Sequence, residues 1–409
     1  MAALIPAIQV IEKADHTVQH IVPLSPANAN SDATPLDPNS VRIRSRLVAL
    51  TTNNFAYARH GGLGVPGLDW YNVWPMPASL PAPYNDTTKY CRISAWGFSE
   101  VTESTIPELP VGTQLYGYQP IGTALETLTL EKEHEGHWLE GGAGITEGSE
   151  EAKRSKALDA LFRPLFGSSF VLNRFAFGWE GNSVNPLGMK EIPWSAEDAD
   201  LTGAVVFLLA PSGKTGLAFA HQLRKGRPAD KQPRKIVAVG SAQSKEFTEK
   251  TGLFDEVVLY GAVDGDLTPV VGDKPAKILL VNFGGRGDAP EQWAEALRPV
   301  CERLQVVLVG SDPSDQNTKG MENLAALVRQ PGSGVYQLNA GGMMEAGKAA
   351  LGFSKYSEAL DAASATFKAD GAAGLKVSWG RGIDDFSKGW DALAKGEVGP
   401  DAGLVYELP

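Results

Sequence analysis

The sequence predicts an α/β protein of two domains, a β-rich first half and a second half built as a doubly wound parallel sheet. Three observations carry this reading. A length of 409 residues, against ~100–200 per domain, asks for two domains and allows three. With 43% hydrophobic and 21% charged residues, the chain can bury proper cores. From about residue 200, five apolar runs alternate with helical or short connecting segments, whereas residues 5–120 offer shorter runs broken by Gly and Pro.

Taken in order, IPAIQVIEK, HTVQHIVPL and VRIRSRLVALTT read as β pieces, with SPANANSDATPLDPNS a polar loop between the last two. In the third piece Val41, Ile43, Ser45 and Leu47 alternate with Arg42, Arg44 and Arg46, which predicts a half-buried strand. Residues 60–120 are rich in Gly, Pro and aromatics and predict short strands punctuated by turns rather than helices. In TEGSEEAKRSKALDALFRPLF, a charged first turn and Leu158, Leu161, Phe162 and Leu165 at helical spacing predict a helix ending near Pro164 or soon after it.

The second half then runs AVVFLLA (204–210), the loop PSGKTG, a helix at GLAFAHQLRKG, KIVAVGS (235–241), a short helix at SKEFTEKTG and DEVVLYG (255–261). KILLVNFGG (277–285), a helix around EQWAEALRPVCERL and QVVLVGS (305–311) complete it. The last seventy residues hold two amphipathic helices, MEAGKAALGFSKYSEALDAASATF and DDFSKGWDALAKG, and a closing strand GLVYELP. They leave the strand–helix repeat, so they are expected to return to the first domain.

Charge and cysteine content exclude several classes. Lys and Arg number 37 and Asp and Glu 48, so 37 − 48 = −11, and no dense basic run offsets this. A nucleic-acid partner is disfavoured because such affinity rests on clustered cations. Cys91 and Cys301 are too few and too distant for a disulfide framework or a Cys-rich zinc site. No basic region leads into an apolar leader and no window reaches 18 uninterrupted apolar residues, so the expectation is a soluble, cytoplasmic protein with no membrane partner.

The strongest local signal is Ala210-Pro211-Ser212-Gly213-Lys214-Thr215-Gly216, which follows the first long apolar strand and opens a helix. Unpaired N–H groups and the positive end of the helix dipole make such a turn a pyrophosphate site. Gly213 would let the backbone approach the phosphates and Gly216 would let the helix lie close on the sheet. A Walker loop would need glycine at 208, where Leu208 stands. The competing reading is an ordinary strand–helix turn. The next strand ends at Ser241, Ser244 and Lys245 with no carboxylate before Glu246, which favours a 2′-phosphate, hence NADP over NAD. The alternative is that Lys245 is simply a solvated first-turn residue.

With these motifs on view, VRIRSRLVALTTNNFAYARHGG, RISAWGFSEVTES and VGTQLYGYQP followed by VVFLLAPSGKTGLAFAHQL and GLFDEVVLYG resemble the zinc-independent medium-chain dehydrogenase/reductase superfamily. Its quinone oxidoreductases and enoyl reductases are the nearest well-described members. The chain has Ala210, Gly213 and Gly216 of the cofactor turn but Lys214 at a usual glycine. SGKTG with GSAQSKEFTEKTGLFDEVVLYG is closer still to a bacterial and fungal branch with no general reaction assigned. The resemblance implies a GroES-like catalytic domain over 1–195, a Rossmann nucleotide-binding domain over 196–334, and a return to the catalytic domain over 335–409. It also implies an NADPH-dependent reductase of a carbonyl, enone or quinone-like small molecule, with a homodimer formed through the nucleotide domain. The runner-up is a non-redox lyase, hydrolase or isomerase, or a ligand-binding protein, on the same fold.

Hydride transfer without zinc needs a donor at the developing oxyanion. Tyr57 stands where the resembling reductases carry a cleft tyrosine, and Asn54 (or Asn53) matches their asparagine; a half-buried loop aromatic is the other reading of Tyr57. Trp70, Tyr71 and Trp74 would line an apolar substrate pocket or, equally, form the core of a small β domain. Tyr260, at a strand end, would approach the adenine side, and Gly284 with Gly285 the nicotinamide ribose. No metal is expected: Cys91 is isolated and no cysteine neighbours His60, while His134 and His137 with Glu131, Glu133 and Glu135 have a spacing that could suit a metal on one helical face but is explained as well by an exposed polar face. Arg286-Gly287-Asp288 is treated as a coincidental adhesion tripeptide.

Overall fold

The computed structural model describes residues 5–24, 35–62, 69–129, 149–189, 191–310, 312, 319–328, 330 and 332–409. The first half runs β1 (Ala7–Glu12), β2 (Gln19–Pro23), β3 (Ser40–Leu50), α1 (Asn53–His60), α2 (Trp70–Val73), β4 (Tyr90–Cys91), β5 (Ser94–Ser104), β6 (Gln114–Pro120), β7 (Leu125–Thr129) and α3 (Glu150–Val171). There follow α4 (Ala196–Ala199), β8 (Val205–Leu209), α5 (Lys214–Lys225), β9 (Lys235–Gly240), α6 (Ala242–Lys250), β10 (Glu256–Leu259), α7 (Thr268–Val271), β11 (Lys277–Phe283), α8 (Ala289–Leu297), β12 (Arg303–Gly310) and α9 (Lys319–Val328). The chain closes with β13 (Val335–Gln337), α10 (Ala340–Leu351), α11 (Phe353–Ala369), β14 (Lys376–Arg381), α12 (Gly382–Ala394) and β15 (Ala402–Glu407). Two compact units result: Met1–Leu161 with Lys376–Val398 and Ala402–Pro409, and Phe162–Leu375 with Gly399–Asp401.

In the first unit β3 is the organising strand, paired antiparallel with β15, β5 and β7. The sheet order is β14-β15-β3-β5-β6, and a small sheet β2-β1-β4 lies apart from it. The expected half-buried alternation of β3 is corrected: nearly every position is buried, and Arg42 is only 2% exposed. A guanidinium survives there because Glu103 pairs with it at 3.0 Å. The return of the chain end is anchored by Trp390 of α12, which meets Phe55 edge-on at 4.7 Å and donates its indole N–H to the Thr17 carbonyl at 3.2 Å. The helix α1 was not expected, the other reading of Tyr57 placing it in a loop.

In the second unit six strands run in the order β10-β9-β8-β11-β12-β13, every adjacent pair parallel. This confirms an α/β fold that joins antiparallel β-rich sheets to a doubly wound parallel one. At its foot Asp198 accepts from the Ser195 N–H (2.8 Å) and from Gln305 Nε2 (3.0 Å), and also holds Arg303. Lys277 donates to the carbonyls of Asp198 and Asp200 at 2.7 Å each. Burial pulls the Lys277 pKa down to about 8.

The expected domain boundaries at 195/196 and 334/335 move to 161/162 and 375/376. The cause is α3. It does not stop near Pro164 but runs through it to Val171. Leu158, Leu161, Phe162, Leu165, Phe166 and Phe170 are all buried, at ~1.5–3 kcal/mol each, which outweighs the ~3 kcal/mol of a mid-helix proline. Phe162 and Phe166 meet Phe367 of α11 at 4.9 and 5.4 Å, while Phe170 meets Tyr356 at 5.9 Å. These rings hold α10 and α11 in the second unit, not the first. The predicted single helix over this stretch breaks at Gly352, whose φ is +83°.

His221 of α5 is 2% exposed; its Nε2 lies 2.9 Å from Asp370 Oδ2 and Nδ1 has no hydrogen-bond partner among the described residues. Burial lowers its pKa below 6.5 despite Asp370. The fold therefore favours the neutral ring, and as pH drops below about 6.5 the unfolded chain takes up a proton that the folded chain refuses. Unfolding free energy measured by urea titration is expected to fall between pH 7.5 and 5.5, and the decline should be shallower in His221→Phe. A second expectation concerns α12: a Cβ on Gly389 would stand 1.6 Å from the Tyr406 hydroxyl, and Tyr406 is 5% exposed. Gly389→Ala should cost ~1–3 kcal/mol in thermal unfolding, part of which the added change Tyr406→Phe restores.

Candidate functional site

The parallel sheet brings one set of expected residues to a single edge. Residues 210–216, 241–245, 260 and 284 follow the carboxyl ends of β8, β9, β10 and β11, four adjacent strands. The order reverses direction at β8, where open α/β sheets bind ligands. Ala210 continues the ladder by donating to the Val239 carbonyl at 3.1 Å, then turns with φ +54°. A left-handed alanine costs ~1–3 kcal/mol and persists only where its surroundings demand it. Gly213 donates to the Ala210 carbonyl at 3.1 Å and caps α5.

Above Gly213 the space is open: a Cβ there would meet only the Ala210 carbonyl oxygen, at 3.3 Å. Gly216 has the other role expected of it, since its Cβ would lie 3.0–3.2 Å from Pro211 and Ala210 backbone atoms. The first turn of α5 has no side-chain cap and no acidic residue, so its N–H groups and dipole are available to an anion. Ser212 and Thr215 are partly exposed beside it, and the Thr215 carbonyl is held by Ser169 Oγ at 2.9 Å. Lys214 keeps part of its surface exposed, and burial pulls its pKa down to about 8.

At the β9 end, Gly240 leaves room for Ser244 Oγ, 3.1 Å from where its Cβ would be, with the Pro211 ring beside it at 3.6 Å. Ser241 sits at the α6 N-cap. Ser244 faces inward: it is 7% exposed and its hydroxyl donates to the Ser241 carbonyl at 3.2 Å. Lys245 is half exposed and pairs with Glu249 of its own helix at 3.7 Å, the solvated arrangement named as the alternative. Tyr260 lies by the turn: burial raises its pKa, while the backbone of Ala210 and Arg286 and the Arg286 charge act the other way. Gly284 has φ +120°, and its N–H and that of Gly285 are both taken by Asn282 Oδ1 at 3.0 and 2.7 Å. Asn282, fully buried, escaped the sequence reading; a lone amide inside KILLVNF was its only signal.

The first unit gathers a different set. Tyr57 of α1 accepts a hydrogen bond from Trp96 Nε1 at 3.1 Å. Its ring lies 4.7 Å from Trp70 and 5.1 Å from Tyr118, and Trp96 lies 5.1 Å from Tyr118. Burial raises the Tyr57 pKa, opposed by Trp96 and Asn53. Asn54 is not free for catalysis: Oδ1 accepts from the Thr51 N–H at 2.9 Å and Nδ2 donates to the Ser94 carbonyl at 3.0 Å. Asn53 is the amide beside the phenol.

Of the three expected pocket aromatics only Trp70 joins this face. Tyr71 donates to the Ala58 carbonyl and carries Lys13 Nζ 4.9 Å above its ring. Trp74 is 7% exposed in a cluster with Val41, Ile43, Val101, Leu109 and Leu115, its indole N–H on the Tyr118 carbonyl at 2.7 Å. Trp96 and Tyr118 were missed, although Trp96-Gly97-Phe98 and Tyr116-Gly117-Tyr118 place aromatics at the two-residue spacing of one sheet face. Among the described residues no three His, Cys, Asp or Glu side chains gather as a metal site; His134 and His137 lie outside them. No described helix is long and apolar enough to cross a membrane.

The fold is shared with solved reductases. CurA from Vibrio vulnificus superposes with a TM-score of 0.57 at 14% identity over 99% of both chains, and CurA has also been solved in complex with NADPH. A putative NADPH:quinone reductase from Bacillus thuringiensis gives 0.55 at 13% identity over 100% of both chains. The CurK enoyl reductase gives 0.51 at 14% identity over 99% of both. At such identities the likeness establishes the fold alone and not the reaction. No curated protein matches the sequence. A family model does, over residues 48–399, and the chain belongs to that family, described as "Protein of unknown function (DUF2855)".

Proposed function

We propose that the protein is an NADPH-dependent oxidoreductase of the zinc-independent medium-chain type, acting on a carbonyl, enone or quinone-like small molecule. The observation that carries the reading is the α5 N-terminus: without a side-chain cap, free of acidic residues, fronted by the open Gly213, and set at the carboxyl edge of a parallel sheet. A dinucleotide diphosphate fits there. The N–H groups of Lys214, Thr215 and Gly216 would bind its oxygens, and the Lys214 ammonium, in no hydrogen bond or ion pair with a described residue, would supply the neutralising charge. Ser241 and the surface Lys245, whose exposed i,i+4 pairing with Glu249 is weak, would serve the 2′-phosphate; Ser244 would only shape the turn.

Bound NADPH supplies a hydride. The chain's own contribution is orientation and a proton. Tyr57 would give its hydroxyl hydrogen bond to the substrate oxygen as negative charge develops there. The Trp96 N–H already on its oxygen polarises the phenol in that direction, and Asn53 acts in the same sense. Tyr260 would border the adenosine side, and Gly284 would give close backbone approach without offering its N–H.

Titration of the purified protein, followed by nicotinamide fluorescence, should give saturable NADPH binding. Lys214→Ala should weaken it ~10-fold or more, and Lys245→Ala should reduce the preference for NADPH over NADH. Because the free ammonium titrates near 8 and a bound anion favours the charged form, NADPH affinity should fall as pH rises past about 8 and be flatter in Lys214→Met. Absence of binding by either nucleotide at millimolar concentration overturns the reading.

A further inference from the structure

We propose that Tyr118 is a ligand-binding hydroxyl, a second donor beside Tyr57 that selects a flat, uncharged, conjugated molecule with an accessible acceptor oxygen. The proposal rests on the assignment of the Tyr57 face as the substrate-facing one, but not on nucleotide binding. Three observations support it. Tyr118 Oη is shut off from solvent and has no hydrogen-bond partner among the described residues, an arrangement that native interiors avoid unless something completes it. Burial holds its pKa well above the ordinary 10, so it remains a neutral donor throughout the physiological range.

The second observation is what the neighbouring phenol lacks. Tyr57 accepts from Trp96, which occupies a lone pair and leaves its proton to be donated. Two neighbouring O–H donors, neither with an acceptor named among the described residues, call for an oxygen acceptor. With Tyr118 Oη shut off from solvent, a neutral carbonyl or ether oxygen suits these donors, because a carboxylate or phosphate would lose far more hydration on entering. The third is the shape of the wall. Trp70 and Tyr118 lie 5.3 Å apart at 51°, Trp96 and Tyr118 cross at 62°, and Tyr57 and Tyr118 at 83°. Rings at these inclinations offer both faces and edges to a planar π system. Trp70 stands on the four-residue helix α2, the shortest support of the four, and is the ring a ligand would displace to reach Tyr118 Oη.

Ligand-observed NMR titration of the full chain, without nucleotide, tests this with 1-indanone and its oxygen-free counterpart indane. The expected result is saturable binding of 1-indanone more tightly than indane, a loss of about 5- to 10-fold for 1-indanone in Tyr118→Phe with indane unchanged, and weakening of both in Trp70→Ala. Infrared spectra of the bound ketone add a readout independent of any variant's folding: its carbonyl stretch should move to lower wavenumber on binding. Equal binding of the two ligands, no binding at millimolar concentration, an unshifted carbonyl, or a Tyr118→Phe protein that binds 1-indanone as tightly as the wild type would each overturn the proposal. A chain that binds 1-indanone as expected but no NADPH would overturn the reductase reading alone.

Discussion

The burial of β8 is the constraint on which the nucleotide edge depends. Val205 to Leu209 have no exposed surface, with β9 and β11 on either side. A strand in that position cannot drift at its end, because each residue is already committed to two ladders. Ala210 keeps the last ladder bond and must then reverse, and it does so at a φ that alanine ordinarily avoids. Pro211 beside Gly240 and the tight seat of Gly216 hold the reversal in place. The start of α5 is thereby fixed by packing rather than by a side-chain cap, which leaves its N–H groups for a ligand.

The first unit reaches a functional surface by another route. Gly97 of β5 has no room for a side chain, since a Cβ would lie 1.9 Å from the Leu47 carbonyl of β3. That close approach puts Trp96 and Phe98, its neighbours, on the opposite face of the sheet, opposite Tyr118 and Tyr116 in register. The sheet then stacks four aromatic rings without a core to cover them fully, and Tyr57 and Trp70 from α1 and α2 complete the layer. Ring packing positions the phenols; the buried amide of Asn54, bridging Thr51 and Ser94, holds α1 against β5.

Which parts were legible follows from the range of the forces involved. The runs 204–210, 235–241 and 277–285 could be read because a strand buried on both faces writes a continuous apolar string. The turn at 210–216 could be read because small residues and a helix start are adjacent in sequence. The end of α3 could not: Pro164 is a local stop signal overruled by contacts with Phe367 and Tyr356, some two hundred residues away. The three residues of β13 carry too little pattern to register, and only their pairing with β12 makes them a strand. Among the site residues, Trp74 and Trp70 are indistinguishable by composition, and the difference between core and surface lies in what β6 brings beneath each of them. Ser244 and Gly284 were read as ligand-facing from their strand-end positions, but local hydrogen bonds to Ser241 and Asn282 turn them to structural use.

A chain carrying a net charge of −11 would have to hold the proposed dinucleotide, a polyanion, against its own field. Range decides the matter. At physiological ionic strength charges more than ~8 Å away are largely screened, so the global excess of carboxylates counts for little and the first turn of each helix at the edge counts for most. Of the helices that start at this edge, α5 and α6 begin without an acidic residue in the first turn, whereas α8 carries Glu291 there. Lys214 adds a cation whose charge is partly suppressed by burial and would be restored by an anion, so its contribution grows when the ligand arrives.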